Sequence, residues 1–124
     1  MKYLLDVNVL LAGIWSSHPN HQKAFSWLEG KNIVLCPLAE LGFLRISTNR
    51  KAINAPMEKT RKLLEQFASE RNVERISDDL SPLDSSPTAS EEVTNLYLAD
   101  LAAKHDCRLV TMDKGISHGS VELI

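Results

Sequence analysis

The sequence predicts an α/β protein built on a mostly parallel sheet. Short apolar runs alternate with helix-length amphipathic stretches, the pattern of strands joined by crossover helices. The 124-residue chain has the composition of an ordinary globular domain, with 44% hydrophobic and 24% charged residues. A chain of this length folds as one domain, residues 1–124, and buries ~68% of its unfolded surface without needing a disulfide or metal.

The elements follow in order. Tyr3-Leu4-Leu5 is a short apolar strand ending at Asp6, and Val9 to Ile14 begins a helix. From Asn20 or His21 to Gly30 the apolar residues Ala24, Phe25, Trp27 and Leu28 recur at helical spacing, and Gly30 suits the stop. Ile33 to Cys36 is a second strand. Pro37 fits the first turn of the next helix, which continues from Leu38 to Ser47. Met57 to Arg71 is an amphipathic helix, with Leu63, Leu64, Phe67 and Ala68 inward. Val73 to Ile76 is a strand, and the polar segment from Ser77 to Ser90, with Pro82 and Pro87, is a loop. Thr88 to His105 is a long helix, capped by Thr88 or Ser90, with Glu91 and Glu92 at its positive end. Arg108 to Thr111 and Val121 to Ile124 complete a sheet of four to five strands. There are no repeats and no linker long enough to divide domains.

No apolar run approaches the ~18 residues of a membrane span. Asp6 interrupts the stretch that a signal peptide would keep apolar, so a cytoplasmic chain with no membrane partner is expected. Cys36 and Cys107 each sit beside apolar residues and are expected to be buried free thiols. Fourteen basic and 16 acidic residues give a net charge of −2, which disfavours non-specific wrapping of nucleic acid. It does not disfavour a nuclease whose acids hold a divalent cation, because the bound ion inverts the local field.

The placement of the acids is the informative feature. Asp6 ends the first strand, and Asp113 lies just past Thr111. In parallel sheets ligands bind beyond the carboxyl ends of strands, so these acids are expected to share one rim. Glu40, in the first turn of the helix after the second strand, reaches the same rim. Three carboxylates there repel one another unless a divalent cation binds, and oxygen-only ligands suit Mg²⁺ or Mn²⁺. Such ions activate a water and stabilise a leaving oxygen in phosphodiester cleavage. Each acid also has a plainer reading: Asp6 as a helix N-cap, Asp113 as a turn residue with Gly115, and Glu40 as an acid complementing a helix dipole.

Four segments resemble a PIN domain, and specifically a VapC-type toxin ribonuclease of a bacterial toxin–antitoxin pair. They are Leu4 to Leu11; His18-Pro19-Asn20-His21 with Ala24, Trp27 and Leu28; Cys36 to Arg45 with Thr48-Asn49; and Val93 to Ala102 leading to Arg108 through Gly115. The resemblance implies a three-layer α/β/α sandwich and a Mg²⁺-dependent endoribonuclease acting on tRNA or ribosomal RNA. It further implies a homodimer and a cognate antitoxin, which places a basic or bulky segment in the acidic groove. The family's acids fall on Asp6, Glu40 and Asp113, and Asn8 and Thr111 match residues that support the site by hydrogen bonds. The third acid is where the chain departs: the family's Thr-Asp pair is Thr94-Asn95 here. Asp100 is the fallback ligand, but five residues on it lies ~140° further round the helix. Loss of that charge opens an alternative reading, a weakened PIN domain serving as a protein- or RNA-binding module.

Arg45, Arg50, Lys51 and Lys114 are candidate RNA contacts, and Arg45 is alternatively a partner for a site acid. His18 and His21 have a metal-compatible spacing but lack the further ligands zinc requires. Trp15, Trp27 and Tyr97 are candidates for base stacking, with core or interface positions expected for Trp27 and Tyr97. Trp27, Phe43, Leu44 and Ile46 exceed what one packing face needs, which also points to a homodimer. A phosphatase or receiver domain is disfavoured, because no Gly-rich loop follows the first strand.

Overall fold

In the computed structural model, which describes all of residues 1–124, the sheet is fully parallel with strand order β3-β2-β1-β4-β5. The strands are β1 (Lys2–Leu5), β2 (Asn32–Leu35), β3 (Glu74–Arg75), β4 (Cys107–Thr111) and β5 (Val121–Leu123). The helices are α1 (Val7–Ile14), α2 (His21–Leu28), α3 (Pro37–Thr48), α4 (Met57–Glu70) and α5 (Val93–Lys104). No helix is long and apolar enough to cross a membrane.

Strand residues alternate between the two faces, as the pleat requires. Leu5, Ile33, Leu35 and Val110 pack with α1, α2, α3 and α4 on one face. Leu4, Val34, Cys36, Cys107 and Leu109 pack with α5 on the other. The result is the three-layer α/β/α sandwich. The inner strands β1, β2 and β4 are largely apolar on both faces because helices cover both sides, whereas the edge strand β3 is the exposed pair Glu74–Arg75.

Helix starts differ from the sequence reading in two places. Helix α1 begins at Val7, two residues early, because Asp6 caps it through a 2.8 Å bond from Asn8 N. Helix α5 begins at Val93, not Thr88, after a single 3₁₀ turn at Ser90–Glu92. Neither Thr88 nor Ser90 caps it; Thr88 instead donates through N and Oγ1 to Glu92 Oε2. The shift puts Asn95 in the first turn of α5, facing the sheet's carboxyl rim. The polar loop before α5 also contains a short turn, Pro82–Asp84.

Both cysteines are free and buried, and desolvation pushes the Cys36 thiol up to about 12, which leaves it unreactive. Of the apolar residues that suggest a dimer face, four pack inward, while Phe25 and Leu41 on the same two helices stay exposed, at 46% and 63%. Phe43 is fully buried, and Trp27, Leu44 and Ile46 are partly buried against the core that α1–α4 form. Trp27 also meets Tyr3 edge-on at 4.9 Å. Trp15 donates to Ser47 Oγ at 2.8 Å and Tyr97 to Leu80 O at 2.8 Å, so both rings are committed to the interior.

Helices α1 and α3 meet closely at Gly42. A methyl group there would lie 2.7 Å from Val7 Cγ2, and a β-branched side chain has little freedom to yield. Gly42→Ala is therefore expected to cost about 1–3 kcal/mol in denaturant unfolding. Unchanged stability would show that α3 can move off α1 freely.

Candidate active site

The register of the two central strands builds the site. Leu5 pairs with Val110, which brings the next residues, Asp6 and Thr111, side by side. Thr111 Oγ1 donates to Asp6 Oδ2 at 2.6 Å, and the same hydroxyl accepts from Asp113 N at 3.0 Å. One buried threonine thus fixes both acids. Asp6 is only 3% exposed, whereas Asp113 reaches solvent. Asp113 accepts from Gly115 N at 2.8 Å and from Asn95 Nδ2 at 2.9 Å. Asn95 and Asp113 line a cleft of about 190 Å³ together with Glu91 and Glu92.

Burial raises the Asp6 carboxyl above its ordinary range, and the nearby Asp113 charge adds to the rise. The bonds from Thr111 and Asn8 pull the other way. Asp6 is therefore both the N-cap and a desolvated acid beside another acid. Asn8 contributes its backbone N–H, while its side chain is exposed.

Glu40 is placed differently. It sits in the first turn of α3, but its Oε1 is held by Arg75, with Nε and Nη2 each at 3.0 Å. The pair lies in a cleft between α3 and α4, lined also by Leu41, Leu44, Arg61 and Glu65. No three His, Cys, Asp or Glu side chains lie close enough together to hold one ion. The structure thus joins Asp6, Thr111, Asp113 and Asn95, and holds Glu40 outside that group. Sequence reading offered Arg45 as a partner for a site acid, but Arg45 is exposed and forms no ion pair with Glu40; Arg75 takes that place. The available signal for Arg75 was a charged Glu-Arg pair inside an otherwise apolar strand, Val73 to Ile76.

Asp100 accepts from Ser85 Oγ at 2.7 Å and lies 2.8 Å from His118 Nε2. Burial opposes ionisation there, yet the bonds from Ser85 and His118 and the His118 charge hold its carboxyl below the ordinary range. His118 Nδ1 accepts from Ser120 N at 3.0 Å, which fixes the ring. Asp100 thereby ties two loops to α5. Asp100→Asn is expected to lower the melting temperature by about 3–5 °C while leaving Mg²⁺ affinity unchanged. A large loss of affinity would instead place Asp100 in the metal shell.

Of the basic candidates, Lys114 directly follows Asp113. Arg50 and Lys51 lie past the far end of α3, a helix of roughly 18 Å, and so are remote from Glu40. His18 and His21 do not share a ligand: His18 Nδ1 accepts from Asn20 N, and His21 Nδ1 lies 2.7 Å from Ala12 O.

The chain that forms this parallel α/β/α sandwich, with acids at the ends of two adjacent inner strands, is matched by the PIN domain family model over residues 3–121. The chain belongs to the PIN domain family. Within it, the chain is similar to VapC ribonucleases. It is 33% identical to Ribonuclease VapC38 of Mycobacterium tuberculosis, covering 91% of this chain and 86% of that protein. It is 35% identical to Ribonuclease VapC44 of the same species, covering 94% and 89%. The fold is similar to a chain in the crystal structure of VapBC2 from Rickettsia felis bound to a DNA fragment from their promoter. The TM-score is 0.61 at 17% identity, covering 93% of this chain and 90% of that one.

Proposed function

We propose that the chain is a divalent-metal-dependent endoribonuclease that hydrolyses phosphodiester bonds in tRNA or ribosomal RNA, as the toxin of a type II toxin–antitoxin pair. The observation that carries the reading is the buried, desolvated Asp6 sharing Thr111 with Asp113, in a PIN domain similar to VapC ribonucleases.

The donor chemistry fits Mg²⁺ or Mn²⁺. Each Asp6 oxygen accepts one hydrogen bond, leaving lone pairs for an ion, and the repulsion with Asp113 is what a cation relieves. Asp6, Asp113, the Asn95 amide oxygen and, once released, Glu40 would hold the ion. When bound it supplies a nucleophilic water and neutralises the phosphate charge. Thr111 orients Asp6 and Asp113 relative to one another, and Asn95 holds Asp113 through its amide. Lys114 lies beside the site to meet the RNA backbone; Arg45, Arg50 and Lys51 serve more distant phosphates. The cognate antitoxin and a homodimeric assembly complete the proposal.

Purified chain mixed with RNA in Mg²⁺ should cleave it, and chelation should stop cleavage. Cleavage in excess EDTA would overturn the metal-dependent mechanism. A second reading, a binding module without catalysis, is favoured by Asn95 in the third acidic position and by the Glu40–Arg75 pair. RNA binding with no cleavage in either Mg²⁺ or Mn²⁺ would support it.

A further inference from the structure

Strand order decides where Arg75 pulls Glu40. Asp6 follows β1 and Asp113 follows β4, the two adjacent central strands. Glu40 follows β2, which separates β1 from the edge strand β3. Arg75 lies on β3, paired with Leu35, and so faces the α3–α4 side of the sheet. The ion pair therefore draws the Glu40 carboxylate toward the sheet edge, away from Asp6. The Glu40 side chain is 19% exposed and Arg75 is 55% exposed, so the guanidinium can leave for water at small cost while the acid stays sheltered. The cleft around the pair also contains Arg61 and Glu65, one charge of each sign, so Arg75 is the cation in direct contact with Glu40.

We propose that Arg75 is a built-in counter-cation that competes with the divalent ion for Glu40, so that this acid joins Asp6 only after the ion displaces the guanidinium. The inference rests on the reading of Glu40 as a metal ligand. In the metal-free protein Arg75 neutralises Glu40 and spares the rim a third negative charge. On metal binding Glu40 exchanges a guanidinium for the ion, and Arg75 is released. Metal affinity is thereby set below what the acids alone would give.

The test is Mg²⁺ titration by calorimetry of the native chain, Arg75→Gln, Glu40→Gln and the double variant. Arg75→Met, which keeps the apolar stem, and melting in EDTA control for folding. Arg75→Gln and Arg75→Met should bind Mg²⁺ about fivefold more tightly, the scale of a partly exposed ion pair. Glu40→Gln should bind more weakly, and Arg75→Gln should add nothing in that background. Weaker binding by Glu40→Gln with no tightening by either Arg75 variant would overturn the competition and leave the metal site standing. Unchanged affinity in Glu40→Gln would overturn both. Tightening by Arg75→Gln even without Glu40 would also overturn the competition, since Arg75 would then act as a general positive charge.

Discussion

In metal-free buffer at neutral pH, Asp6→Asn should melt at a higher temperature than the native chain, and it should no longer respond to Mg²⁺. The sign follows from the raised Asp6 carboxyl, whose main cause is burial. A group whose folded pKa exceeds its unfolded value supports folding below the unfolded pKa, and that support is lost as pH rises through the folded value. Native stability attributable to Asp6 therefore declines above about pH 4. Asn carries no charge to desolvate and keeps the cap, since Asn and Asp are comparable N-caps. Thr111 has a lone pair left to accept from the new amide, because only Asp113 N donates to it. With Mg²⁺ at 100 times its Kd, the native chain should gain about 2.7 kcal/mol, and the variant much less. RNA cleavage should fall by about a hundredfold or more. Melting in EDTA between about pH 4 and 7 and again in Mg²⁺ checks both parts. A variant less stable than the native chain in EDTA at neutral pH would show that the hydrogen bonds to Asp6 outweigh its burial.

Asn95→Asp should act in the opposite direction on both quantities. The amide now donates to Asp113 Oδ2 at 2.9 Å, so the substitution removes a donor and sets two carboxylates against each other. The metal-free variant should lose about 1 kcal/mol of stability, the cost of one exposed hydrogen bond turned repulsive. The added charged oxygen should tighten Mg²⁺ binding by about tenfold, since ligand charge count sets affinity at oxygen sites. Titration and unfolding of the same preparation measure the trade. Unchanged metal affinity would show that position 95 does not face the ion.

Much of this was legible in the chain. The strands fell where apolar runs end in turn residues, because helices cover both sheet faces and no polar alternation blurs the runs. Asp6 stood out because it closes such a run, and its two readings, cap and site acid, describe one side chain. What was hidden depends on contacts between distant segments. The Glu40–Arg75 pair joins residues 35 positions apart, and the charged Glu-Arg pair in the Val73 to Ile76 strand marks an unusual residue without naming its partner. His118, which lies against Asp100, lies in a turn whose sequence signals only a loop. The start of α5 was misplaced because Thr88 satisfies Glu92 instead of capping, a choice made by side chains rather than propensity. Of the apolar residues that suggest a dimer face, Phe43 fills the core and Trp27, Leu44 and Ile46 pack against it, while Phe25 and Leu41 on the same helices stay exposed.

The bond between Thr111 and Asp6 spans 105 positions of chain. In chain order β1 precedes β4 by all five helices, so without β4 one edge of β1 has β2 as its neighbour and the other is bare. Only with β4 do Thr111 and Asp113 arrive beside Asp6. A chain lacking β4 keeps its first acid but has neither Thr111 to orient it nor Asp113 beside it, so the proposed site does not assemble. The proposed site thus exists only once this long-range strand pairing has formed, and pairings of such high sequence separation are slow to close.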